Sequence, residues 1–284
     1  MCIMNHIEQN ERIYIIMKKM IILDLDGTLT NSKKEITPKT LEALLDAQER
    51  GVIVTLASGR PTYGIKGVSD ALQLERFGGY ILSFNGARVM NVKTKEVVYQ
   101  QKFPLEYIRP LYEYAVKHDM GLVTYEQDKV VTGTRIDEYM QKEADINHMN
   151  LTTVNNFPEY VDFDVNKCLF TAAVDVAPQW EKELVERYGD VLSIYRSEPF
   201  FIEVMPQGID KAASLARLFE IIGMDKEDAV ACGDGFNDQS MIEYAGVGVA
   251  MANAQERVKE AADYVTVHSN DEDGLVEVIN KYFK

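Results

Sequence analysis

Cysteine is scarce in this chain: three in 284 residues, at Cys2, Cys168 and Cys232. Three widely spaced thiols make neither an even disulfide framework nor a zinc-finger spacing, so a reducing, cytoplasmic setting is expected. Long apolar runs are missing too. No stretch approaches the roughly 20 residues of a membrane helix. Residues 1–20 lack a signal peptide's apolar region and small-residue cleavage site. Positive charge is in deficit, with 30 Lys and Arg against 45 Asp and Glu and a net charge of −15. Such a field repels a phosphodiester backbone, which excludes a general nucleic-acid surface, and no membrane partner is expected. A small anion stays compatible if a metal ion and a few local cations reverse the sign inside one pocket. The four histidines (His6, His118, His148, His268) do not gather near any motif and receive no role.

What is present is an ordinary globular balance, 46% hydrophobic and 26% charged, enough chain for about two domains. Residues 1–16 read as an extension, expected to be poorly ordered, and Met17 would serve equally well as a start. Residues 20–25 (MIILDL) form a short apolar run ending in Asp26-Gly27 turn chemistry, a buried strand. A helix follows with Thr37 as N-cap, Pro38 at its first position and Gly51 as its stop. The near-continuous apolar run 52–57 (VIVTLA) has the character of a parallel strand covered on both faces. After Gly86 short strands come in adjacent pairs with helices between them, the pattern of an α+β unit. After Gly208 strand and helix alternate again. The expected fold is α/β: a doubly wound, Rossmann-like parallel-sheet core at 17–86 plus 200–284, with an inserted α+β cap at 87–199.

In an open parallel sheet, ligands bind beyond the carboxyl ends of the strands. Those ends carry Asp24-Leu25-Asp26-Gly27-Thr28, Ser58-Gly59-Arg60, Asn85-Gly86 and Gly233-Asp234-Gly235-Phe236-Asn237-Asp238. Asp24 and Asp26 are two residues apart and leave the strand end on the same side. Adjacent carboxylates require a shared proton or a cation. Asp234 and Asp238 add two more acids, and an all-oxygen set selects magnesium over zinc. An EF-hand is excluded because the sixth residue from Asp24 is Leu29 and from Asp234 is Gln239, where that loop needs glycine. The Ser58 hydroxyl and the amides near Gly59 suit a phosphoryl oxygen, and Lys211 suits its developing charge. Arg60 and Asn85 are candidates to reach substrate, Arg60 equally a candidate to pair with an acidic neighbour. Cys232 reads as buried filler and Trp180 as packing or surface.

Four ordered segments, DLDGTLT (24–30), ASGR (57–60), GIDKAASL (208–215) and GDGFND (233–238), resemble the motifs of the haloacid dehalogenase-like hydrolases. SFNGA (83–87), VAMANA (249–254) and HSNDEDGL (268–275) are similar to stretches of the Cof-type, subclass IIB branch with its large cap. Ala252 and Ala212 stand where that family often has glycine. The resemblance implies a magnesium-dependent phosphatase of small phosphorylated metabolites, sugar phosphates foremost, with a cap that closes over the pocket and chooses the leaving group. By the same resemblance Asp24 is the nucleophile that carries an aspartyl-phosphate, and Asp26 the acid and base. Magnesium is held by Asp24, the Asp26 carbonyl and Asp234, with Asp238 reaching it directly or through water. Asn237 orients the phosphoryl group or Asp238, and Ser58 and Lys211 complete the clamp. Two alternatives stay open: a phosphomutase, since phosphomannomutases share the first motif and a similar cap, and a phospho-aspartate signalling switch.

Overall fold

A computed structural model describes residues 19–284; the expected extension at 1–16 lies outside the described residues. The first strand, β1 (Met20–Leu23), is wholly buried. Its residues alternate between two cores. Ile21 and Leu23 pack with Leu44, Val54, Leu56, Val278 and Ile279 on one face of the sheet. Met20 and Ile22 pack with Leu215, Leu218 and Phe219 on the other. Burial on both faces is why the strand reads as an unbroken apolar run rather than an alternating one.

Beside β1 lies β2 (Ile53–Ala57), then β3 (Gly79–Ser83), both parallel to it, and then a hairpin of β4 (Arg88–Asn91) and β5 (Val97–Gln100). The intervening helix Pro38–Glu49 starts at Pro38 as expected. Thr37 is the N-cap residue as expected, but its side chain makes no capping hydrogen bond; its hydroxyl donates instead to Asp273 Oδ1 at 2.5 Å, tying the helix start to the last loop of the chain.

A second sheet then forms from β6 (Gly121–Glu126), β7 (Lys129–Thr132), β8 (Asn150–Thr153), β9 (Cys168–Thr171), β10 (Leu192–Glu198) and β11 (Phe201–Pro206). Its order is β10-β11-β9-β6-β7-β8, antiparallel except for the β7–β8 pair. Helices Ile108–Lys117 and Ala177–Tyr188 cover one face, where Leu111, Tyr114 and Leu184 meet Phe170 and Ile202. On the other face Val123, Tyr125, Met140 and Leu169 pack with Phe84 and Ala87 of the first unit, so the cap rests on the core. The chain returns to the large sheet through β12 (Ala229–Gly233), β13 (Val247–Ala250) and β14 (Tyr264–Val265). The completed order is β14-β13-β12-β1-β2-β3-β4-β5.

The architecture is the expected α/β core with an α+β insertion, but both seams move. The hairpin β4–β5 extends the core sheet, so residues 88–100 do not belong to the cap sheet. Strand β11 pairs with β9 and β10, so residues 201–206 belong to the cap sheet and not to the core. Strand pairing is non-local, and the apolar pattern of a strand does not say which sheet it joins.

Candidate active site

The register of the core sheet builds the site. Leu23 of β1 lies opposite Cys232 of β12 and opposite Leu56 of β2, so three strands end almost level. Asp24, the residue after β1, donates its amide to Cys232 O at 3.0 Å, and Ser58 donates its amide to Leu82 O at 2.9 Å. The polar residues that follow each strand are thus delivered to one crest, with Asp24 and Asp234 beside each other.

Lys211 lies at the floor of this crest with 1% of its surface exposed. Its Nζ donates to Asp24 Oδ1 at 2.7 Å, to Ala57 O at 2.8 Å and to Asp238 Oδ1. All three ammonium protons are therefore used, by two carboxylates that follow the adjacent strands β1 and β12 and by one carbonyl. Asp210 caps the helix Lys211–Ile222 by accepting from Ala213 N at 3.0 Å, so the helix start holds the lysine in place. Ala212, where glycine is common in the resembling family, is accommodated there in an ordinary helical turn.

Asp238 is fully committed. Its Oδ2 accepts from the amides of Asp234 (3.0 Å) and Gly235 (2.9 Å), while Oδ1 faces Lys211. It shapes the turn that carries Asp234. Asp234 Oδ1 accepts from Thr28 Oγ1 at 2.8 Å, and its Oδ2 has no hydrogen-bond partner among the described residues. Oxygens of Asp24, Asp234 and Asp238 lie within 4.8 Å of one another, a set that can hold a metal ion. The all-oxygen donors fit a hard divalent cation. So does the charge: burial, then the neighbouring Asp238 charge, pushes the Asp24 carboxyl up to about 8. Burial likewise pushes Asp234 up to about 6. Burial alone would lower the Lys211 ammonium, but Asp238 and Asp24 outweigh it and raise it. Two acids, Asp24 and Asp234, held above their ordinary range in a crest with one buried lysine mark a site with more negative charge than its fixed cation balances.

Asp26 is differently placed. Arg60 grips it with two hydrogen bonds, Nε to Oδ2 at 2.8 Å and Nη2 to Oδ1 at 2.7 Å, and Lys34 Nζ adds a third at 2.7 Å. Against the effect of burial, those bonds from Arg60 and Lys34 lower its carboxyl below the usual range. Of the two openings left for Arg60 by the sequence, pairing with an acid is the one observed. Lys34 was not anticipated; its signal was a Lys-Lys pair just beyond the first motif.

Ser58, 2% exposed, accepts from the Arg60 amide at 3.2 Å and keeps its proton available to donate. Asn85 takes a left-handed backbone (φ 54°) and bridges the two units. Its Nδ2 donates to Tyr195 Oη of the cap at 3.2 Å, and its Oδ1 accepts from Asn237 Nδ2 at 3.1 Å. The late motifs act on the first: Asn253 Nδ2 donates to Gly27 O and Asn270 Nδ2 to Thr30 O, each at 2.8 Å. Neither asparagine was singled out from the sequence.

Above the crest opens a cleft of about 810 Å³ that takes in Asp24, Asp26, Ser58, Arg60, Asp234, Asn237 and Asp238, and is roofed by cap residues. His148, given no role from the sequence, lines that roof. A cluster of carboxylates that can hold a metal ion, a buried lysine, a serine hydroxyl and a cleft above them suit phosphoryl transfer. The profile of the haloacid dehalogenase-like hydrolases matches residues 21–279. The chain belongs to this family. Among solved structures, a haloacid dehalogenase-like hydrolase from Bacteroides thetaiotaomicron is 48% identical, with a TM-score of 0.90 over 94% of this chain and 100% of its own. The subclass IIB sugar phosphatase BT4131 is 30% identical, with a TM-score of 0.77 over 92% and 98% of the two chains. The 5-amino-6-(5-phospho-D-ribitylamino)uracil phosphatase YcsE of Bacillus subtilis (strain 168) is 31% identical over 93% of this chain and 95% of that protein. The present haloacid dehalogenase-like hydrolase is accordingly a phosphatase of the Cof-type branch.

Gly27 shows how tightly this hydrolase packs its first motif. It has φ +91°, and a Cβ there would collide with the Asp234 carboxylate. Gly27→Ala is expected to lose about 1–3 kcal/mol of stability from the left-handed backbone and to push Asp234 out of line. Urea unfolding measures the first effect. A weakened metal dependence of turnover measures the second.

Proposed function

We propose that this enzyme hydrolyses phosphate monoesters of small metabolites, sugar phosphates foremost, with magnesium and through an aspartyl-phosphate on Asp24. The observation that carries this reading is the Asp24–Lys211–Asp238 bridge with Asp234 beside it, at the floor of a roofed cleft. Asp24 Oδ2, free of hydrogen bonds among the described residues, attacks phosphorus as the bond to the leaving oxygen breaks. Asp26 donates a proton to that oxygen and later takes one from the water that cleaves the acyl phosphate. Since Arg60 and Lys34 keep Asp26 ionised, an incoming phosphate competes for the same two cations and frees Asp26 to carry its proton. Ser58 donates its hydroxyl to a phosphoryl oxygen and Lys211 holds Asp24 in the attacking orientation. Asp24, the Asp26 carbonyl and Asp234 would hold the ion, whose charge, when bound, offsets that of the phosphoryl oxygens. Asp238 acts by fixing Lys211 and the Asp234 turn, and Asn237 with Asn85 lines the way to the cap.

Relatives support the substrate class: one is named for a sugar phosphatase and another for a ribitylamino-uracil phosphate. Two buried free thiols, Cys168 and Cys232, accord with a reducing, cytoplasmic setting. No helix among the described residues is long and apolar enough to cross a membrane.

Hydrolysis of p-nitrophenyl phosphate is expected with added magnesium. It should fall about 100-fold or more on chelation and return on adding the ion back. Phosphate release from sugar phosphates should match the alcohol formed. Glucose 6-phosphate arising from glucose 1-phosphate without free phosphate would mean a mutase. An aspartyl-phosphate that outlives the assay would mean a switch.

A further inference from the structure

The charges around the cleft are divided unevenly. The catalytic end, on the core, sets Lys33, Lys34, Arg60 and Lys211 against Asp24, Asp26, Glu35, Asp234 and Asp238, close to balance. The cap wall that faces the leaving group carries four carboxylates, Glu143, Asp145, Glu198 and Glu203, and a single lysine, Lys167. Lys167 is already spent: its Nζ is 2.9 Å from Glu203 Oε2, with side chains 5% and 9% exposed. Glu143, also buried, accepts from Tyr125 Oη at 2.7 Å and from Asn147 Nδ2 at 3.0 Å. Among the described residues Lys167 therefore pairs with Glu203 alone, and Glu143 has no cation in contact. A second observation points the same way. Asn147 Oδ1 is a buried acceptor that receives no hydrogen bond, and Asn147 lines the cleft. Unpaired buried acceptors call for donors, and a cleft wall is where a ligand can bring them.

We infer that the cap wall selects the leaving group by charge: it takes an uncharged polyol or an aminated one, and rejects any ester that carries a second anionic group. This rests on the phosphatase reading above and narrows it. Glu203, Glu143 and Lys167 form the discriminating element. Hydroxyl or amine protons of the substrate satisfy Asn147 Oδ1, whereas a carboxylate or second phosphate would face the excess negative charge with no free cation on the cap wall. Discrimination comes from the repulsive element as much as from the attractive one. The reaction that supplies such a substrate is a kinase or transferase that leaves one phosphoryl group on a neutral or amine-bearing carbon chain.

Two matched sets of esters test this on the full chain with magnesium, scored by kcat/KM. The first is glucosamine 6-phosphate, glucose 6-phosphate and 6-phosphogluconate. The second is phosphoethanolamine, glycerol 3-phosphate and 3-phosphoglycerate. In each set the anionic member should be about 30-fold or more below the neutral one, and the aminated member at least equal to it. Glu203→Gln should narrow the neutral-to-anionic ratio about tenfold. Glu198→Gln, at an exposed position with little risk to folding, should narrow it about threefold. Anionic members hydrolysed as well as neutral ones, or ratios unmoved in both variants, would overturn the inference and leave the phosphatase reading standing. No hydrolysis of any ester would overturn both.

Discussion

Asp24→Asn is expected to lower the turnover of p-nitrophenyl phosphate by about 10⁴-fold or more, with little change in fold. The substitution keeps the shape of the side chain and its hydrogen bond with Lys211 Nζ, so the helix cap at Asp210 and the Asp238 turn stay in place. What it removes is the only carboxylate that follows β1 directly, sits level with Asp234, and still has an oxygen free to attack. No substitute stands near. Asp26 is clamped by Arg60 and Lys34, Asp238 uses both oxygens, and Asp234 is anchored by Thr28. Stopped-flow quench should also find no acid-stable, base-labile phosphoryl adduct in the variant. A variant that keeps the wild-type rate would remove Asp24 as nucleophile and leave the cluster as a metal site only.

How much of this site was legible beforehand follows from the range of the forces involved. The strand ends were readable because fully buried strands are continuous apolar runs, and the turn glycines and acids after them are local signals. Asp24, Ser58, Lys211, Asp234 and Asp238 could therefore be brought to one crest from sequence alone. The cap was another matter. Helix Glu138–Ile146 (EYMQKEADI) was missed because its buried residues, Met140, Glu143 and Ala144, make a weak apolar stripe that includes a glutamate. Strand β8 (NLTT) was missed because it is a short, partly exposed edge strand with one large apolar residue. The roof residues Glu143, Asn147 and Glu203 belong to no motif. Their meaning depends on which sheet face meets the cleft, and that is fixed only by long-range pairing. For Arg60 the sequence leaves substrate and an acidic neighbour equally open, since no local rule directs a guanidinium at the end of the neighbouring strand to Asp26.

Lys211→Met carries the largest expected cost in stability. The ammonium is fully enclosed and pairs with two carboxylates, Asp24 and Asp238. Removing one partner of a buried ion pair leaves the other charges uncompensated, an effect of about 3–5 kcal/mol. In this chain that corresponds to roughly 10 °C in Tm. The loss should depend on pH in chelated buffer. Asp24 is already held at about 8 against an ordinary 3.8, and without the lysine its carboxyl rises further. A carboxyl whose folded pKa lies above its unfolded value binds more protons when folded, so stability falls as pH rises between the two values. Both proteins lose this stability alike up to about pH 8, so the variant should lie closer to wild type at about pH 6 than at about pH 9.5. A divalent cation supplies positive charge to the same oxygens, so magnesium at pH 8 should raise the variant's Tm by more than it raises the wild type's. Equal shifts in both proteins would show that the lysine and the ion do not share these carboxylates. In that case the acidic crest would be held together by hydrogen bonds alone.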